Sequence, residues 1–249
     1  MIPSVAEQDH GFKQFTTTRW GVVLQAAQLD DIKSKEALQE LCQQYWFPLY
    51  AFVRRNGYPP QDAADLTQDF FAKLLATDFP AGMDPQRGRF RNFLLTSLHR
   101  FLINKWQKAR RQKRGGGGQA LSLEMLIEER GETGYLAELS HNETPEHLFQ
   151  RTWAETLLKR VFKRLEEECA RRGDTRFATL RPFLSGSEDH LNGAAAAAAL
   201  GLSLAAFKSL LHRFRQRYRE LLFDEVRQTV ESPDEVAAEL QAIIRSLRC

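Results

Sequence analysis

The sequence predicts an all-α protein made of two helical domains joined by a flexible linker, the second domain containing a helix-turn-helix. Apolar residues recur three and four positions apart along most of the chain, which is the spacing of amphipathic helices. No segment shows the alternation of apolar and polar residues that is typical of a strand. Gly115–Gly118 and the glutamate-rich stretch after it interrupt the helical pattern, and this interruption indicates a linker between two domains.

The first domain is expected to span residues 16–114. Its first helix should start near Trp20, and its second should begin near Leu38 and stop at Asn56-Gly57, where the helical pattern ends. Pro48 falls inside the second helix. Because proline has no backbone N–H and clashes with the preceding turn, we expect a kink or a break there.

Two more helices complete the first domain. Pro59-Pro60 is a favourable start for the third helix, since proline fits the first helical turn. The fourth helix carries most of the basic charge of this domain. The expected inner faces are Ala63, Leu66, Phe70, Phe71, Leu74 and Leu75 on the third helix, and Phe93, Leu94, Leu98, Phe101 and Leu102 on the fourth.

The linker is assigned to residues 115–143 and the second domain to residues 144–228. Thr144-Pro145-Glu146 is a helix start, with a capping side chain followed by proline. Near the end of this domain, Gly201 is placed for the tight turn of a helix-turn-helix, and Ser203 is placed to cap its second helix.

A C-terminal extension is assigned to residues 229–249. Ser232-Pro233-Asp234-Glu235 predicts a helix start, and apolar residues follow on one face of the helix. We expect this helix to cover the second domain. A regulatory contact is an alternative that the residues do not require.

Basic charge is concentrated in one part of the first domain. The stretch Arg87–Arg114 carries ten lysines and arginines and no acid, although the net charge of the chain is only +3. Phe90, Phe93, Phe101 and Trp106 lie between these charges. Cations that follow a phosphate backbone, together with flat side chains that hold unstacked bases, are typical of proteins that bind opened or single-stranded nucleic acid.

The second helix of the helix-turn-helix also has a basic face. Lys208, His212, Arg215 and Arg219 follow one another at spacings of four, three and four, and no acid occurs from Ser203 to Arg219. Such a face suits the major groove of duplex DNA, where lysine and arginine read guanine edges and contact phosphates. The alternative is a solvated face of an ordinary amphipathic helix.

Asp62, Asp65 and Asp69 share one face of the third helix, beside Phe70 and Phe71. Carboxylates at this spacing can meet a basic partner protein, with the phenyl rings either anchoring that partner or filling the core. They can also hold Mg²⁺, but the sequence has no second acidic motif and no phosphate-binding glycine loop to complete an enzyme site. A solvated acidic face without any partner is the third alternative.

Three segments together resemble bacterial RNA polymerase sigma factors of the sigma-70 family, of the extracytoplasmic function (ECF) type. The run from Asp62 to Phe71 is similar to the helix that docks on the polymerase clamp. The run from Arg89 to Arg114 resembles the helices that melt the promoter and read its −10 element, and the run from Ala198 to Arg219 resembles the −35-reading helix-turn-helix.

The resemblance implies a function and a set of site residues. The chain would bind core RNA polymerase, direct it to −10 and −35 promoter elements and help to open the DNA. The implied polymerase-binding residues are Asp62, Asp65, Gln68, Asp69, Phe70 and Phe71. Those implied for the −10 region are Phe90, Arg91, Phe93, Arg100, Asn104, Lys105, Lys108, Arg110 and Arg111. Those implied for the −35 region are Ser203, Lys208, His212, Arg213, Arg215 and Arg219.

The implied protein is not an enzyme and uses no cofactor or metal. Its partners would be core RNA polymerase and promoter DNA, with an anti-sigma factor or another regulator left open. No apolar run is long enough to span a bilayer, and three widely spaced cysteines fit a reduced compartment, so we expect a cytoplasmic protein. A free-standing helix-turn-helix regulator that does not bind polymerase is the alternative function.

Overall fold

The computed structural model describes residues 32–76, 89–111, 143–184, 192–230 and 232–248. Within these ranges the secondary structure is entirely helical, without a strand, which confirms the predicted fold class. The α-helices are α1 (Ile32–Arg55), α2 (Pro60–Ala76), α3 (Phe90–Arg111), α4 (Pro145–Arg171), α5 (Phe177–Leu180), α6 (Gly193–Ala199), α7 (Leu204–Arg227) and α8 (Val236–Leu247). Two 3₁₀ turns are also present: Arg181–Leu184 comes before α6 in the chain, and Pro233–Glu235 comes directly before α8.

The chain divides into two compact units. The first unit comprises residues 1–155 together with 227–249, and the second comprises residues 156–226. The division therefore falls inside α4. The predicted helix near Trp20 and the predicted linker, apart from Glu143, lie outside the described residues.

The core of the first unit is built by the apolar faces of α1, α2 and α3. Ring contacts join these helices: the ring centroids of Tyr45 and Phe90 are 5.5 Å apart, and those of Phe70 and Phe101 are 5.8 Å apart, both edge to face. The buried members of the predicted inner faces are Ala63, Phe70, Phe71, Leu74, Leu94, Leu98, Phe101 and Leu102. Edge-to-face rings add a small preference to the free energy of burial, so these pairs help to fix how the three helices pack.

Pro48 does not break α1, which continues from Ile32 to Arg55 as one helix. Of the two outcomes expected at Pro48, a kink or a break, the break does not occur. Proline removes one hydrogen bond and crowds the preceding turn, but Leu49, Phe52 and Val53 on the following turn are buried in the core. That burial stabilises the helix on the far side of the missing hydrogen bond. The helix stops where expected, at Asn56 and at Gly57, whose φ is +92°.

The second unit contains the remainder of α4 with α5, α6 and α7. Phe177 packs edge to face on Phe214 with ring centroids 6.0 Å apart, and Phe183 packs in the same way on Phe207 at 5.3 Å. A buried carboxylate also lies in this unit: Glu225 of α7 pairs with Arg160 at 3.0 Å and with Arg164 at 3.3 Å. Both apolar and charged contacts thus hold α7 against α4 and the segment that follows it.

The C-terminal helix α8 belongs to the first unit, which corrects the expectation that it covers the second domain. The predicted start is a 3₁₀ turn, Pro233–Glu235, that leads into α8, and the Ser232 hydroxyl caps this turn by accepting a hydrogen bond from the Asp234 amide at 3.3 Å. Val236 and Ile243 are buried, whereas Ile244 is exposed. The sequence pattern showed that α8 has an apolar face but not which part of the protein this face packs against. An ion pair between Glu239 and the start of α3 joins α8 to the first unit.

Among the described helices, no single one is long and apolar enough to cross a membrane; only α6 and α7 taken together, bent by 96°, pass on length and composition.

Candidate nucleic-acid interface

Helix α3 presents an exposed cationic surface. Arg100, Asn104 and Lys108 follow one another at intervals of four residues, so they line one side of the helix, and all three are exposed. Lys105 is also exposed, and its Nζ lies 2.5 Å from Oδ2 of Asp69 on α2. Both side chains of this pair are about half exposed, so the pair contributes little to stability. Another anion can therefore replace Asp69 beside Lys105 at a small cost in free energy. Arg110 and Arg111 lie in the last turn of α3, and their side chains are outside the description.

The aromatic side chains of α3 differ in their exposure. Phe90 has an exposed fraction of 0%, with its ring against Tyr45 and Phe93. Its assignment to the −10 contact does not fit this position, since a ring inside the core offers no face to a base. Phe93 is half-buried, and Trp106 is 53% exposed beside Lys105. Trp106 is therefore the large aromatic ring of α3 that nucleic acid can reach.

Arg91 is enclosed and does not reach the exposed surface of α3. Only 4% of it is exposed, its Nε donates to Oε1 of Gln150 at 2.7 Å, and its guanidinium lies 4.3 Å from the ring centroid of Trp153. Its Nη1 also pairs with the carboxylate of Glu239 on α8. Burial, with the neighbouring charge of Arg89, lowers the pKa of Arg91 to about 10, so the side chain stays charged at neutral pH. In this conformation its assigned contact with DNA is blocked.

On α2 the predicted acidic residues are exposed, but the two phenylalanines beside them are not. Asp62 and Asp65 are exposed, and Gln68 is half-buried on the same helix. Phe70 and Phe71 are buried in the core of the first unit, so of the two roles considered for their rings they fill the core, and their assignment as polymerase contacts does not fit. Within the described ranges no three His, Cys, Asp or Glu side chains are grouped so that they could hold a metal ion.

The segment from Asn192 to Arg227, predicted as a helix-turn-helix, contains two helices joined by a tight turn. Helices α6 and α7 meet at 96°, within the range usual for this motif. Gly201 forms the turn with φ at +65°, and the Ser203 hydroxyl accepts a hydrogen bond from the Ala206 amide at 3.2 Å. A further cap was not foreseen: Oδ1 of Asn192 accepts from the amides of Ala194 and Ala195, both at 3.0 Å. Asparagine directly before a helical run is the sequence signal for it.

Helix α7 carries the exposed cations of this motif. Lys208, His212, Arg213 and Arg219 are exposed. An open groove of about 520 Å³ runs along the same helix, lined by Phe183, Gly193, Leu204, Phe207, Lys208, Leu211, His212, Arg215 and Arg219. The motif therefore offers a cationic helix face beside a concave apolar surface.

Two arginines of α7 are held by the protein itself. Arg215, which was expected in the groove of DNA, is half-buried and donates from Nε and Nη2 to the carbonyl oxygen of Phe183 at 3.2 and 2.9 Å. Arg217 donates from Nε and Nη2 to the carboxylate of Glu168, both at 2.8 Å. The sequence alone does not show whether an arginine bonds to an acceptor within the protein or is available for DNA.

Comparison with known families assigns part of the first unit. Residues 38–112 match the family described as sigma-70 region 2. No curated protein and no solved structure matches the chain. The matched residues run from within α1 to the end of α3, and so include the exposed acids of α2 and the exposed cations of α3. Over residues 38–112, the match supports a sigma factor of the sigma-70 family.

Proposed function

We propose that this chain is an ECF-type sigma factor that binds core RNA polymerase, directs it to −10 and −35 promoter elements and helps to open the DNA. The observation that carries the proposal is the match of residues 38–112 to sigma-70 region 2. Within that range, acids exposed on α2 and cations exposed on α3 provide two surfaces of opposite charge on neighbouring helices. A protein that joins polymerase to DNA requires two such surfaces.

The polymerase contact is assigned to α2. Asp62 and Asp65 are exposed, three residues apart and on one face of the helix. Exposed charges at the edge of an interface increase the association rate and suppress wrong partners more than they increase affinity. The contact should therefore weaken as the salt concentration rises.

The −10 contact is assigned to the exposed side of α3. Arg100, Asn104, Lys105 and Lys108 approach phosphates or base edges, and Trp106 provides the stacking surface. Stacking on one aromatic side chain stabilises an unpaired base by about 1–3 kcal/mol, and extruding a base costs a few kcal/mol. A single ring can hold one opened base but cannot melt a duplex, so opening is a property of the complex with polymerase.

The −35 contact is assigned to α7. Lys208 and His212 are exposed one turn apart, and Arg213 and Arg219 flank them for phosphate contacts. Helix α6 has only seven residues and consists of glycine and alanine, so α7 carries the long polar side chains of the motif. As a sigma factor, the protein acts in the cytoplasm, catalyses no reaction itself and remains open to control by an anti-sigma factor.

The test is run-off transcription with purified bacterial core polymerase and pooled genomic fragments, with and without the full chain. We expect discrete new start sites that share two spaced upstream elements. Core polymerase without the protein is the control for background initiation. If the protein neither binds core polymerase nor produces new start sites, but binds a palindromic duplex as a dimer, the free-standing regulator replaces the sigma factor.

A further inference from the structure

Glu239 of α8 is a fully buried acid, with an exposed fraction of 0%. Its Oε2 lies 2.7 Å from Nε of Arg89, and its Oε1 pairs with Nη1 of Arg91. Both arginines stand at the start of α3, within residues 38–112 that match sigma-70 region 2. Each carboxylate oxygen is thus used by a different guanidinium group.

The space between these two arginines has the chemistry of an anion site. Guanidinium groups bind carboxylate and phosphate oxygens through the same donors and with similar geometry. Gln150 and Trp153 hold the guanidinium of Arg91 in place, through a hydrogen bond of 2.7 Å and a ring contact of 4.3 Å. The site is therefore preorganised for an anionic oxygen, and Glu239 is the anion that occupies it.

The attachment of α8 depends strongly on this ion pair. The helix has 12 residues, a length at which isolated helices are marginal in water. Only Val236 and Ile243 among its large apolar side chains are buried, and Ile244 is exposed. Because breaking a buried pair by removing one partner leaves an uncompensated charge, Arg91 favours the docked helix until another anion replaces Glu239.

We propose that α8 competes with DNA for Arg89 and Arg91, its Glu239 carboxylate occupying the place of a backbone phosphate. This inference rests on the proposed function, since it takes DNA as the competing anion. While α8 is docked, the two arginines are withheld and the protein binds DNA weakly. When DNA binds, a backbone phosphate occupies the anion site and α8 is released. The backbone amides of α8 then lose their protection from hydrogen exchange.

The first experiment uses the intact chain. Amide hydrogen exchange of residues 236–247 is followed by mass spectrometry with and without oligothymidine of about 20 nucleotides, longer than a single-strand binding site usually is. We expect exchange in α8 to rise when the oligonucleotide binds, while exchange in the buried part of α1 stays unchanged. Unchanged or slower exchange in α8 under saturating oligonucleotide overturns the competition.

The second experiment compares variants of the full chain. Glu239→Gln removes the charge and keeps the side-chain volume; Asp234→Asn removes one charge from an exposed position just before α8. If fewer than about one molecule in ten has α8 released, removing the restraint raises the affinity for fluorescein-labelled oligothymidine about tenfold or more. Asp234→Asn should bind as the parent does, and circular dichroism checks that both variants are folded.

The outcomes separate this inference from the proposed function. A folded Glu239→Gln chain that binds no more tightly than the parent overturns the competition and leaves α8 a structural helix, while DNA binding itself stands. If the parent and Glu239→Gln both fail to bind oligothymidine, the assigned DNA contact of the first unit is wrong as well. If Glu239→Gln does not fold, the exchange experiment on the intact chain still decides.

Discussion

Arg215 on α7 donates two hydrogen bonds to the backbone carbonyl oxygen of Phe183, from Nε at 3.2 Å and from Nη2 at 2.9 Å. This carbonyl lies in the 3₁₀ turn Arg181–Leu184, so the guanidinium fastens that turn to α7. The aromatic ring of Phe183 packs at the same time on Phe207 of α7. A residue that the sequence placed in the groove of DNA thus closes a contact inside its own unit.

We expect Arg215→Ala to lower the free energy of unfolding of the second unit by about 1 kcal/mol, because a charged donor is removed from a part-buried carbonyl. Because Arg215 is bound within the protein and is not assigned to DNA, the affinity for specific and unrelated duplexes should change little. Denaturant unfolding monitored by circular dichroism measures the first effect. Arg213→Ala, an exposed neighbour, is the control and should leave stability within experimental error; a stable Arg215→Ala chain that loses only its sequence preference would instead identify a base contact.

Gly201→Ala should destabilise the helix-turn-helix by about 1–2 kcal/mol, since its φ of +65° is unfavourable for any residue with a Cβ. No atom lies within 4 Å of an added Cβ, so the cost is conformational and not steric. Gly193→Ala is the matched control. Its added methyl group would lie 3.7 Å from the Phe207 ring, an ordinary contact, and alanine favours the helix. In thermal unfolding, the melting temperature should fall for Gly201→Ala and rise for Gly193→Ala.

Stability should depend on pH through Glu168. Hydrogen bonds from Arg217 hold the pKa of the Glu168 carboxyl below its usual 4.5. Because this pKa is lower in the folded state, its contribution to the free energy of unfolding is complete above pH 4.5 and disappears as the pH falls through the folded-state pKa. The stability difference between the parent and Glu168→Gln should therefore be constant at neutral pH and shrink in acid. Glu167→Gln, which removes a carboxylate from an exposed position of the same helix, is the control for the change in net charge.

Phe90 and Trp106 should give opposite results when each is replaced by alanine. Phe90→Ala removes a fully buried ring and should destabilise the chain by about 3–5 kcal/mol. Trp106→Ala should leave the melting temperature almost unchanged and weaken binding to single-stranded DNA by about 1–3 kcal/mol. Calorimetry and fluorescence anisotropy give the two quantities. Equal DNA affinity of Trp106→Ala and the parent would exclude Trp106 as the stacking residue.

Charge reversal on α2 tests the polymerase contact. Asp65→Lys should weaken binding to core polymerase by more than about tenfold, because a like charge placed in an interface costs several kcal/mol. The fold should be unaffected, since Asp65 is exposed. Glu166→Lys makes the same charge change at an exposed position of α4 and should bind normally. Biolayer interferometry with immobilised core polymerase measures both; equal weakening by the two variants would point to net charge and not to a docking face.

Helix positions were largely predictable because apolar spacing and capping residues are local signals. Pro60, Thr144, Gly201 and Ser203 each mark a helix boundary where the structure has one. The destination of α8 was not predictable. The pattern of an amphipathic helix shows which face is buried but not the surface against which it packs. Here the surface is specified by Glu239, which pairs with two arginines that are distant in sequence.

The site residues were less predictable for a related reason. Arg91, Arg215 and Arg217 look equivalent to Arg100 in sequence, but the first three are bound to acceptors within the protein, while Arg100 is exposed. Phe90 was assigned to the −10 region because it lies among basic residues in the sequence. The structure makes it the first residue of α3 and turns its ring into the core.

The unequal burial of the tryptophans provides an optical probe of α3. Trp46 and Trp153 lie in the interior, whereas Trp106 is 53% exposed. In a Trp20→Phe chain, a collisional quencher such as acrylamide should therefore reach the Trp106 indole and leave the emission of the other two almost unchanged. A base stacked on that ring would shield it from the quencher. Intrinsic fluorescence can thus follow the occupancy of one surface of the protein in solution, without an attached dye.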